Sequence, residues 1–393
     1  LVEGGKGVAV SNHASSGAWA AAGGIGTVSA VNADSYDSFG NIIPQIYHGR
    51  TRRDRHEELI AYAIDGAVEQ VKRAFEIAGG KGAININVLW EMGGAQRVLH
   101  GVLEKTRGMV AGVTCGAGMP YKLSEIAASY DVSYLPIVSS GRAFRALWKR
   151  AYSKASEWLA AVVYEDPWLA GGHNGLSNAE DPRAPQDPYP RVKALRDTMR
   201  EGGISDDVPI VMAGGVWALK DWNDWIDNPE LGSIMFQFGT RPLLTQESPI
   251  PNVWKDMLRT VEPGDVLLHK FSHTGFYSSA VKTPFLYDLM HRSERQIPIF
   301  KRDEEEGTIP LADHGKAKYF FVHPGDQRKA QAWMHEGFTE ALKTPDDTVV
   351  FTTPESAEQI RADQQGCMGC LSHCQFSSWK DHDNHTTGRL ADP

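Results

Sequence analysis

Eight short apolar runs separated by longer amphipathic segments constrain the fold of this 393-residue sequence more than any other feature. The first run ends at Gly4-Gly5, and seven more follow it. We predict strands at these seven runs, residues 25–31, 84–89, 109–115, 134–139, 160–165, 209–214 and 233–239. Parallel strands joined by crossover helices produce this alternation of short apolar and longer amphipathic segments.

The segments between the predicted strands have apolar residues at the spacing of an α-helix. Apolar residues recur at spacings of three and four between residues 56 and 78, which predicts an amphipathic helix. Similar patterns predict helices at residues 95–106, 124–130, 142–151, 191–200 and 219–226. Right-handed crossovers leave a closed barrel and an open doubly wound sheet as the main topologies. Because glycine and polar residues cluster where nearly every strand ends, we predict an α/β fold of the (β/α)₈ TIM-barrel type.

The predicted barrel occupies residues 1–280, with an insertion at about residues 32–55. Residues 281–393 follow the last barrel helix. We predict that they form a C-terminal cap or lid that ends in a cysteine-rich tail. The glycine-rich start has no complete strand before it, so we expect the sequence to begin inside the native protein. A chain of this length accommodates one barrel and an appended region.

Composition narrows the class of protein. The sequence is 41% hydrophobic and 23% charged, which is typical of a soluble globular enzyme. Its net charge of −9 disfavours binding to nucleic-acid backbones. No apolar run is long enough to cross a bilayer and no targeting pattern is present, so we expect a cytoplasmic protein. A small-molecule substrate is the expected partner, and a homodimer is left open.

The seventh and eighth predicted strands end in glycine-rich loops, Ala213-Gly214-Gly215-Val216 and Gly239-Thr240. Barrels commonly bind a phosphate between these two loops, because glycine lets backbone N–H groups approach a ligand closely. The alternative is that Gly214-Gly215 merely permits a tight turn. Two such loops at neighbouring strand ends favour the phosphate site.

His173 is the candidate catalytic residue. It follows Gly171-Gly172 near the end of the predicted sixth strand, where an imidazole at the barrel mouth could transfer a proton. Capping of a helix or contact with a phosphate is the competing interpretation. Ser139, at the end of the fifth strand, could bind a cofactor or substrate, although a serine before a helix is also an ordinary N-cap.

These strand-end motifs resemble the nitronate monooxygenase (2-nitropropane dioxygenase-like) family of FMN barrels. The resemblance covers most of residues 1–281 and includes Gly4-Gly5-Lys6-Gly7-Val8, Asn85-Ile86-Asn87, Gly116-Ala117-Gly118-Met119-Pro120, Ala170-Gly171-Gly172-His173 and Phe238-Gly239-Thr240-Arg241. It implies bound FMN and a catalytic role for His173.

The resemblance also assigns parts of the cofactor site. It places Gly4, Gly5 and Lys6 at the flavin ring, Asn87 in hydrogen bonding to that ring, and Gly171-Gly172 on the ribityl–phosphate side. The family usually has methionine at the position of Lys6. An asparagine can donate and accept at once, which suits the ring edge, although a buried structural asparagine would look the same in sequence.

Three cysteines in the tail, Cys367, Cys370 and Cys374, have the spacing of ligands on a tight loop. Iron–sulfur clusters take four thiolates, whereas zinc accepts mixed cysteine and histidine ligands, and several histidines are nearby. The tail is similar to that of acyl-carrier-protein dehydrogenase/isomerases of fatty acid biosynthesis, which implies a [4Fe-4S] cluster. The fourth ligand is then Cys115 or a cysteine beyond Pro393, and we favour the second.

Three functions remain. The first is a flavin and iron–sulfur dehydrogenase/isomerase that acts on an acyl thioester tethered to an acyl carrier protein, which the tail supports. The second is a nitronate monooxygenase that oxidises alkyl nitronates with O₂, which the barrel motifs support equally. The third is a metal-stabilised binding module, which leaves His173 and the strand-end glycines unexplained.

Overall fold

The computed structural model describes residues 1–91, 93–262, 264–271, 275–302, 307–312, 319–344 and 346–368. Eight parallel strands close into a barrel, and the pairing of Val2 with Gln237 joins the first barrel strand to the last. The strands of Leu1–Val281 are β1 (Val2–Glu3), β2 (Ile25–Ser29), β3 (Ala83–Leu89), β4 (Gly112–Gly116), β5 (Ser133–Val138), β6 (Val162–Glu165), β7 (Gly172–His173), β8 (Ile210–Ala213), β9 (Ile234–Phe238), β10 (Val266–His269) and β11 (Ser278–Val281). All but β7, β10 and β11 belong to the barrel, which confirms the predicted (β/α)₈ fold.

Helices flank the barrel strands. They are α1 (His13–Ala21), α2 (Arg52–Ala78), α3 (Ala95–Lys105), α4 (Leu123–Ala128), α5 (Gly141–Arg150), α6 (Pro188–Glu201) and α7 (Asn252–Thr260), with 3₁₀ helices at Tyr152–Trp158, Leu219–Trp225 and Arg241–Leu244. The sequence pattern predicted an amphipathic helix at residues 219–226, but this segment is a 3₁₀ helix with a kink at Trp222. A spacing of three brings Trp222 and Trp225 to one side of a 3₁₀ helix, and both are buried, with ring centroids 4.9 Å apart.

Helix α2 begins earlier than its apolar pattern indicates. The Thr51 side chain accepts a hydrogen bond from the Asp54 backbone N–H, and the Asp54 side chain accepts one from the Thr51 N–H, which forms a capping box. The helix ends at Gly79, whose left-handed conformation (φ 58°) suits a C-cap. Because α2 starts at Arg52, it takes up the last residues of the predicted insertion at 32–55.

Apolar side chains fill the inside of the barrel below the strand ends. Val2, Leu135, Val163 and Val211 form this interior cluster, and each is at most 3% exposed. A larger cluster packs the outer face of the strands against the helices. The filled interior closes the barrel from below, so a ligand can enter at the carboxyl ends of the strands.

A second, antiparallel sheet stands beside the barrel mouth in the order β10-β11-β7. His173 therefore does not directly follow the sixth barrel strand, which ends at Glu165, but lies on β7, where it pairs with Ser278 of β11. The sequence prediction had placed His173 at the end of strand six. Pairing with β11 fixes the backbone of His173 more firmly than a free loop would.

The described part of the chain folds into two compact units, Leu1–Val281 and Lys282–Cys367. The second unit contains α8 (Pro284–Ser293), β12 (Gln296–Pro298), β13 (Ile309–Ala312), β14 (Tyr319–Val322), α9 (Pro324–His335), β15 (Glu340–Lys343), β16 (Thr348–Thr352) and α10 (Pro354–Gly366). Its sheets are β12-β16-β15 and β13-β14, and Ile297, Val349 and Phe351 lie in its own apolar core. Within the described ranges, none of the helices has the length and apolar character needed to span a bilayer.

Candidate active site

A cavity of about 320 Å³ opens at the carboxyl ends of the barrel strands, and all eight strands or the loops after them contribute to its lining. This volume is within the range of about 300–1,000 Å³ that is usual for small-molecule and cofactor sites. The C-terminal face is also where barrel enzymes assemble their active sites. The cavity is therefore the candidate active site.

The cavity brings together nearly all of the residues that the sequence singled out for a cofactor or for catalysis. Its lining includes Gly4, Gly5, Lys6, Asn87, Gly171, Gly172, His173, Ala213, Gly214, Gly215, Val216, Gly239 and Thr240. Ser139 lies outside this lining, and its hydroxyl donates instead to the Gly175 carbonyl at 2.8 Å. Ser139 thus holds the loop that follows His173.

Two of the lining glycines, Gly171 and Gly239, face open space. A β-carbon built on either one would meet no described atom within 4 Å, apart from its chain neighbours, and neither has a left-handed φ. Packing and backbone conformation therefore do not require glycine at these positions. A ligand that lies against the backbone would require it.

The sequence left two interpretations of Gly214 and Gly215 open, a phosphate site and a tight turn, and the structure is compatible with both. Their φ angles of 92° and 72° are left-handed, so the turn after β8 itself favours glycine. Both residues also line the cavity. The turn therefore accounts for their conformation and exposes their backbone to a ligand.

Asn87 lines the cavity and carries an unsatisfied polar atom. Its side chain is buried, and its Oδ1 has no hydrogen-bond partner among the described residues. Gly5 lies directly against it, because a β-carbon on Gly5 would come within 2.3 Å of Asn87 Cγ. A buried acceptor without a partner costs about 1–3 kcal/mol, so a ligand that donates a hydrogen bond here would be stabilised.

Lys6 belongs to a buried polar network at the end of β1. Its Nζ donates to the Gly4 carbonyl at 2.6 Å and lies 3.3 Å from Glu3 Oε1, which also accepts a hydrogen bond from the Ser15 hydroxyl. Burial lowers the pKa of Lys6, and the nearby Glu3 carboxylate partly opposes that shift. The sequence indicated Lys6 as a cavity residue but not its partner Glu3, which is completely buried.

Substitution of Lys6 tests this network. Lys6→Met should destabilise the apoprotein by about 3–5 kcal/mol, because it leaves the Glu3 carboxylate buried without its cation. The double variant Glu3→Gln, Lys6→Met should recover much of this loss. Urea denaturation of the four proteins of the cycle measures the coupling.

A surface ion pair provides the matched control. Arg97 and Glu57 lie 2.7 Å apart but are 55% and 52% exposed. Arg97→Met should cost less than about 1 kcal/mol. Equal losses for Arg97→Met and Lys6→Met would show that the Lys6 pair contributes no more than a solvated one.

Glu165 is a cavity residue that the sequence motifs did not indicate as a functional group. It ends β6 and lines the cavity, and burial, with a smaller contribution from Asp166, raises its pKa to about 8. Asp166 has a structural task, since its Oδ1 accepts hydrogen bonds from the N–H groups of Trp168 and Leu169, each at 2.9 Å. Adjacent acids at a strand end were the available signal, but burial is invisible in sequence.

Glu165 should make the apoprotein less stable as the pH rises. The folded state holds its proton up to about pH 8, whereas the unfolded state loses it near the ordinary glutamate pKa, so stability falls between these values and levels off above the upper one. Glu165→Gln should stabilise the apoprotein at pH 9 by about 1–3 kcal/mol and change it little at pH 4. Urea denaturation across this range is the measurement, and a gain that is the same at both ends would contradict the assignment.

Arg191 clamps the loop that leads to His173. It donates to the Tyr164 hydroxyl at 2.9 Å and to the Ser139 carbonyl at 2.8 Å, and its guanidinium lies over the Trp168 ring at 5.1 Å. Arg191 thus packs Tyr164 and Trp168 against this loop.

The cysteine tail lies largely beyond the part of the chain that the structure describes. Cys367 is described and partly buried, but Cys370 and Cys374 lie outside the described residues. Cys115 is fully buried in the core, where burial raises the pKa of its thiol. Among the described residues, no group of three or more side chains could hold a metal ion, so the cluster stays a prediction.

The fold and the cavity together define the class of this protein: a (β/α)₈ barrel with a ligand-sized cavity at the carboxyl ends of its strands. No protein-family profile matches the chain, and no curated protein matches it in sequence.

Solved structures do match. FabK from Thermotoga maritima is 18% identical, with a TM-score of 0.53 over 74% of each chain. A variant of the same FabK matches over 92% of this chain and 94% of its own, at 17% identity and a TM-score of 0.50. Nitroalkane oxidase from Streptomyces ansochromogenes is 19% identical, with a TM-score of 0.51 over 73% of this chain and 78% of its own. At these identities the likeness establishes a shared fold.

Proposed function

We propose that this protein is an FMN-dependent oxidoreductase of the nitronate monooxygenase-like family. The observation that carries the proposal is the cavity in which Gly171 and Gly239 expose bare backbone to open space beside His173. A cofactor that needs close backbone contact and a nearby proton-transfer group explains this combination. The structural likeness to FabK and to nitroalkane oxidase supports the fold on which such a site is built.

The residues present fit FMN. The backbone of Gly214-Gly215 and Gly239-Thr240 would hold the phosphate, as barrels do after their last two strands. The unpartnered Asn87 Oδ1 would accept a hydrogen bond from a ring N–H, and Gly5 beside it leaves room for the Asn87 side chain. When bound, FMN would supply the hydride chemistry.

The chain itself would supply proton transfer and a hydrogen-bond donor. His173 lines the cavity and would take a proton from the substrate or return one to it. Glu165, whose pKa is raised to about 8, would stay protonated at neutral pH and donate a hydrogen bond into the cavity. Both groups lie on strands, which fixes their backbone positions.

For the substrate we propose an acyl thioester tethered to an acyl carrier protein, and a dehydrogenase/isomerase reaction on it. Leu169 and Trp217 line the cavity and are 53% and 50% exposed, so an apolar chain would find contacts at the entrance. Cys367, Cys370 and Cys374 would hold a [4Fe-4S] cluster, which would supply one-electron redox chemistry, and zinc is the alternative for these ligands. Oxidation of alkyl nitronates is the second candidate, because the barrel motifs support it equally.

An anaerobic substrate screen tests the choice of reaction. Acyl thioesters and alkyl nitronates are added separately to the FMN-loaded protein, and loss of the visible flavin absorbance is followed. Bleaching by acyl thioesters supports the first reaction, whereas bleaching by nitronates alone supports the second.

Metal analysis tests the tail separately. Iron and acid-labile sulfide measured on anaerobically purified full-length protein should both be present, at about four of each per chain for a [4Fe-4S] centre. Zinc without sulfide would exclude the cluster.

A further inference from the structure

The sheet β10-β11-β7 aligns three polar side chains in one row. His173 of β7 pairs with Ser278 of β11, and Ser278 pairs with His269 of β10. Residues directly opposite each other on paired strands point to the same face of a sheet. His173, Ser278 and His269 therefore share one face, with Ser278 in the middle.

The ladder brings His173 and Ser278 especially close. The Asn174 N–H donates to the Tyr277 carbonyl at 3.0 Å, so Asn174 and Tyr277 form a hydrogen-bonded pair. Hydrogen-bonded and non-hydrogen-bonded pairs alternate in an antiparallel ladder. The next pair, His173 with Ser278, is thus of the non-hydrogen-bonded type, in which the side chains approach most closely.

Two atoms of this row are buried without partners. Ser278 is completely buried and His269 is 4% exposed, and neither Ser278 Oγ nor His269 Nε2 has a hydrogen-bond partner among the described residues. Each such atom destabilises the folded state unless a partner is supplied. A buried water molecule between polar atoms is the usual way to supply one.

The hydrogen-bond direction of the row follows from His269. Its Nδ1 accepts a hydrogen bond from the Phe271 N–H at 3.0 Å, so in the neutral ring the proton sits on Nε2. Burial lowers the pKa of His269 to about 4, which keeps this ring neutral. His269 Nε2–H is then a donor toward Ser278, and the Ser278 O–H is left to donate onward.

We propose that Ser278, supported by His269, is a positioning residue that hydrogen-bonds to the His173 ring through a bridging water molecule and fixes its tautomer. The ring nitrogen that faces Ser278 accepts, so the other ring nitrogen carries the proton. Phe276, whose ring meets that of His173 edge-on at 6.3 Å, restricts the ring orientation. The ring then has a defined tautomer for its acid–base role, in which it takes a proton from the substrate or returns one to it. The catalytic part of this inference rests on the proposed function.

Nitrogen NMR of the apoprotein tests the tautomer without any turnover. The protein is labelled with ¹⁵N-histidine, and the His173 signals are assigned by their absence in His173→Ala. We expect one tautomer in about tenfold excess in the native protein and at least about a threefold change of this ratio in Ser278→Ala. Ser278→Thr should restore the native ratio, and His269→Phe should change it in the same direction as Ser278→Ala.

Ser279→Ala is the matched control. Ser279 neighbours Ser278 on the same strand but pairs with Gly172 and contacts Asn174 on the opposite face. This variant should leave the His173 ratio unchanged. Unchanged His173 signals in a folded Ser278→Ala protein would overturn the proposal, whether or not the protein proves to be a flavin enzyme.

A double-mutant cycle tests the catalytic part. Ser278→Ala should lower kcat about tenfold with little change in KM, and should have no further effect in a His173→Ala background. Equal effects of Ser278→Ala in both backgrounds would show that Ser278 acts independently of His173 and would overturn its positioning role. Absence of flavin binding by the native protein would instead refute the proposed function. The NMR result would still decide the tautomer.

Discussion

His173→Ala should keep its FMN and lose turnover by about 10²–10⁴-fold, the usual contribution of a positioned acid–base group. His173 lines the cavity from β7, which pairs with β11 through Gly172 and His173, so removal of the imidazole leaves the backbone pairing in place. FMN binding, thermal stability and steady-state kinetics are measured on the same preparation. The loss should appear in kcat, because the ring acts on the reacting atoms.

His100→Ala is the control for this experiment. His100 lies on α3, where its Nδ1 is 3.0 Å from the Tyr130 hydroxyl, and it is exposed. Its replacement should leave turnover unchanged. Native turnover in His173→Ala would remove histidine from the chemistry, and loss of FMN from the same variant would make it a binding residue instead.

Gly239→Val should abolish or weaken FMN binding by about 100-fold or more while the apoprotein remains folded. A side chain here would enter open space, because no described atom other than the chain neighbours lies within 4 Å of its β-carbon, and φ is not left-handed. The new side chain therefore occupies the volume that we assign to the phosphate. A tenfold loss of affinity corresponds to about 1.4 kcal/mol, so a 100-fold loss requires about 2.7 kcal/mol. Steric overlap of the valine side chain with the phosphate should cost at least this much. Isothermal titration of the apoprotein with FMN measures the effect.

Gly325→Ala in α9 is the matched glycine control. Its β-carbon would meet His323 Nδ1 at an ordinary 3.5 Å, and Gly325 does not line the cavity. FMN affinity should stay native in this variant. Native affinity in Gly239→Val as well would mean that the exposed backbone of Gly239 does not contact the cofactor.

The barrel could be predicted because each strand carries its own local signal. The buried parallel strand β8 is a continuous apolar run, β3 is apolar except for Asn85 and Asn87, and their ends are marked by glycine or polar residues. Helix α1 was not predicted, because its small residues, among them Ala14, Ser15 and Gly17, leave no apolar stripe. Packing against α2 and the Asn12 cap stabilise it instead.

The candidate site was predicted in its glycines and in His173 but not in its buried charges. Glycine motifs at strand ends are local, so sequence shows them directly. The pairing of His173 with Ser278 joins residues more than a hundred positions apart, and a two-residue strand has no periodicity of its own. The raised pKa of Glu165 depends on burial, and the Glu3 partner of Lys6 is likewise visible only in three dimensions.

The central claim is that the cavity binds FMN through a phosphate cradle at Gly214-Gly215 and Gly239-Thr240. Titration of the apoprotein with FMN and with riboflavin, which lacks the phosphate, tests it most directly. We predict that FMN binds at least about 100-fold more tightly than riboflavin, a difference of about 2.7 kcal/mol. Equal affinities, or no binding of FMN, would contradict the claim.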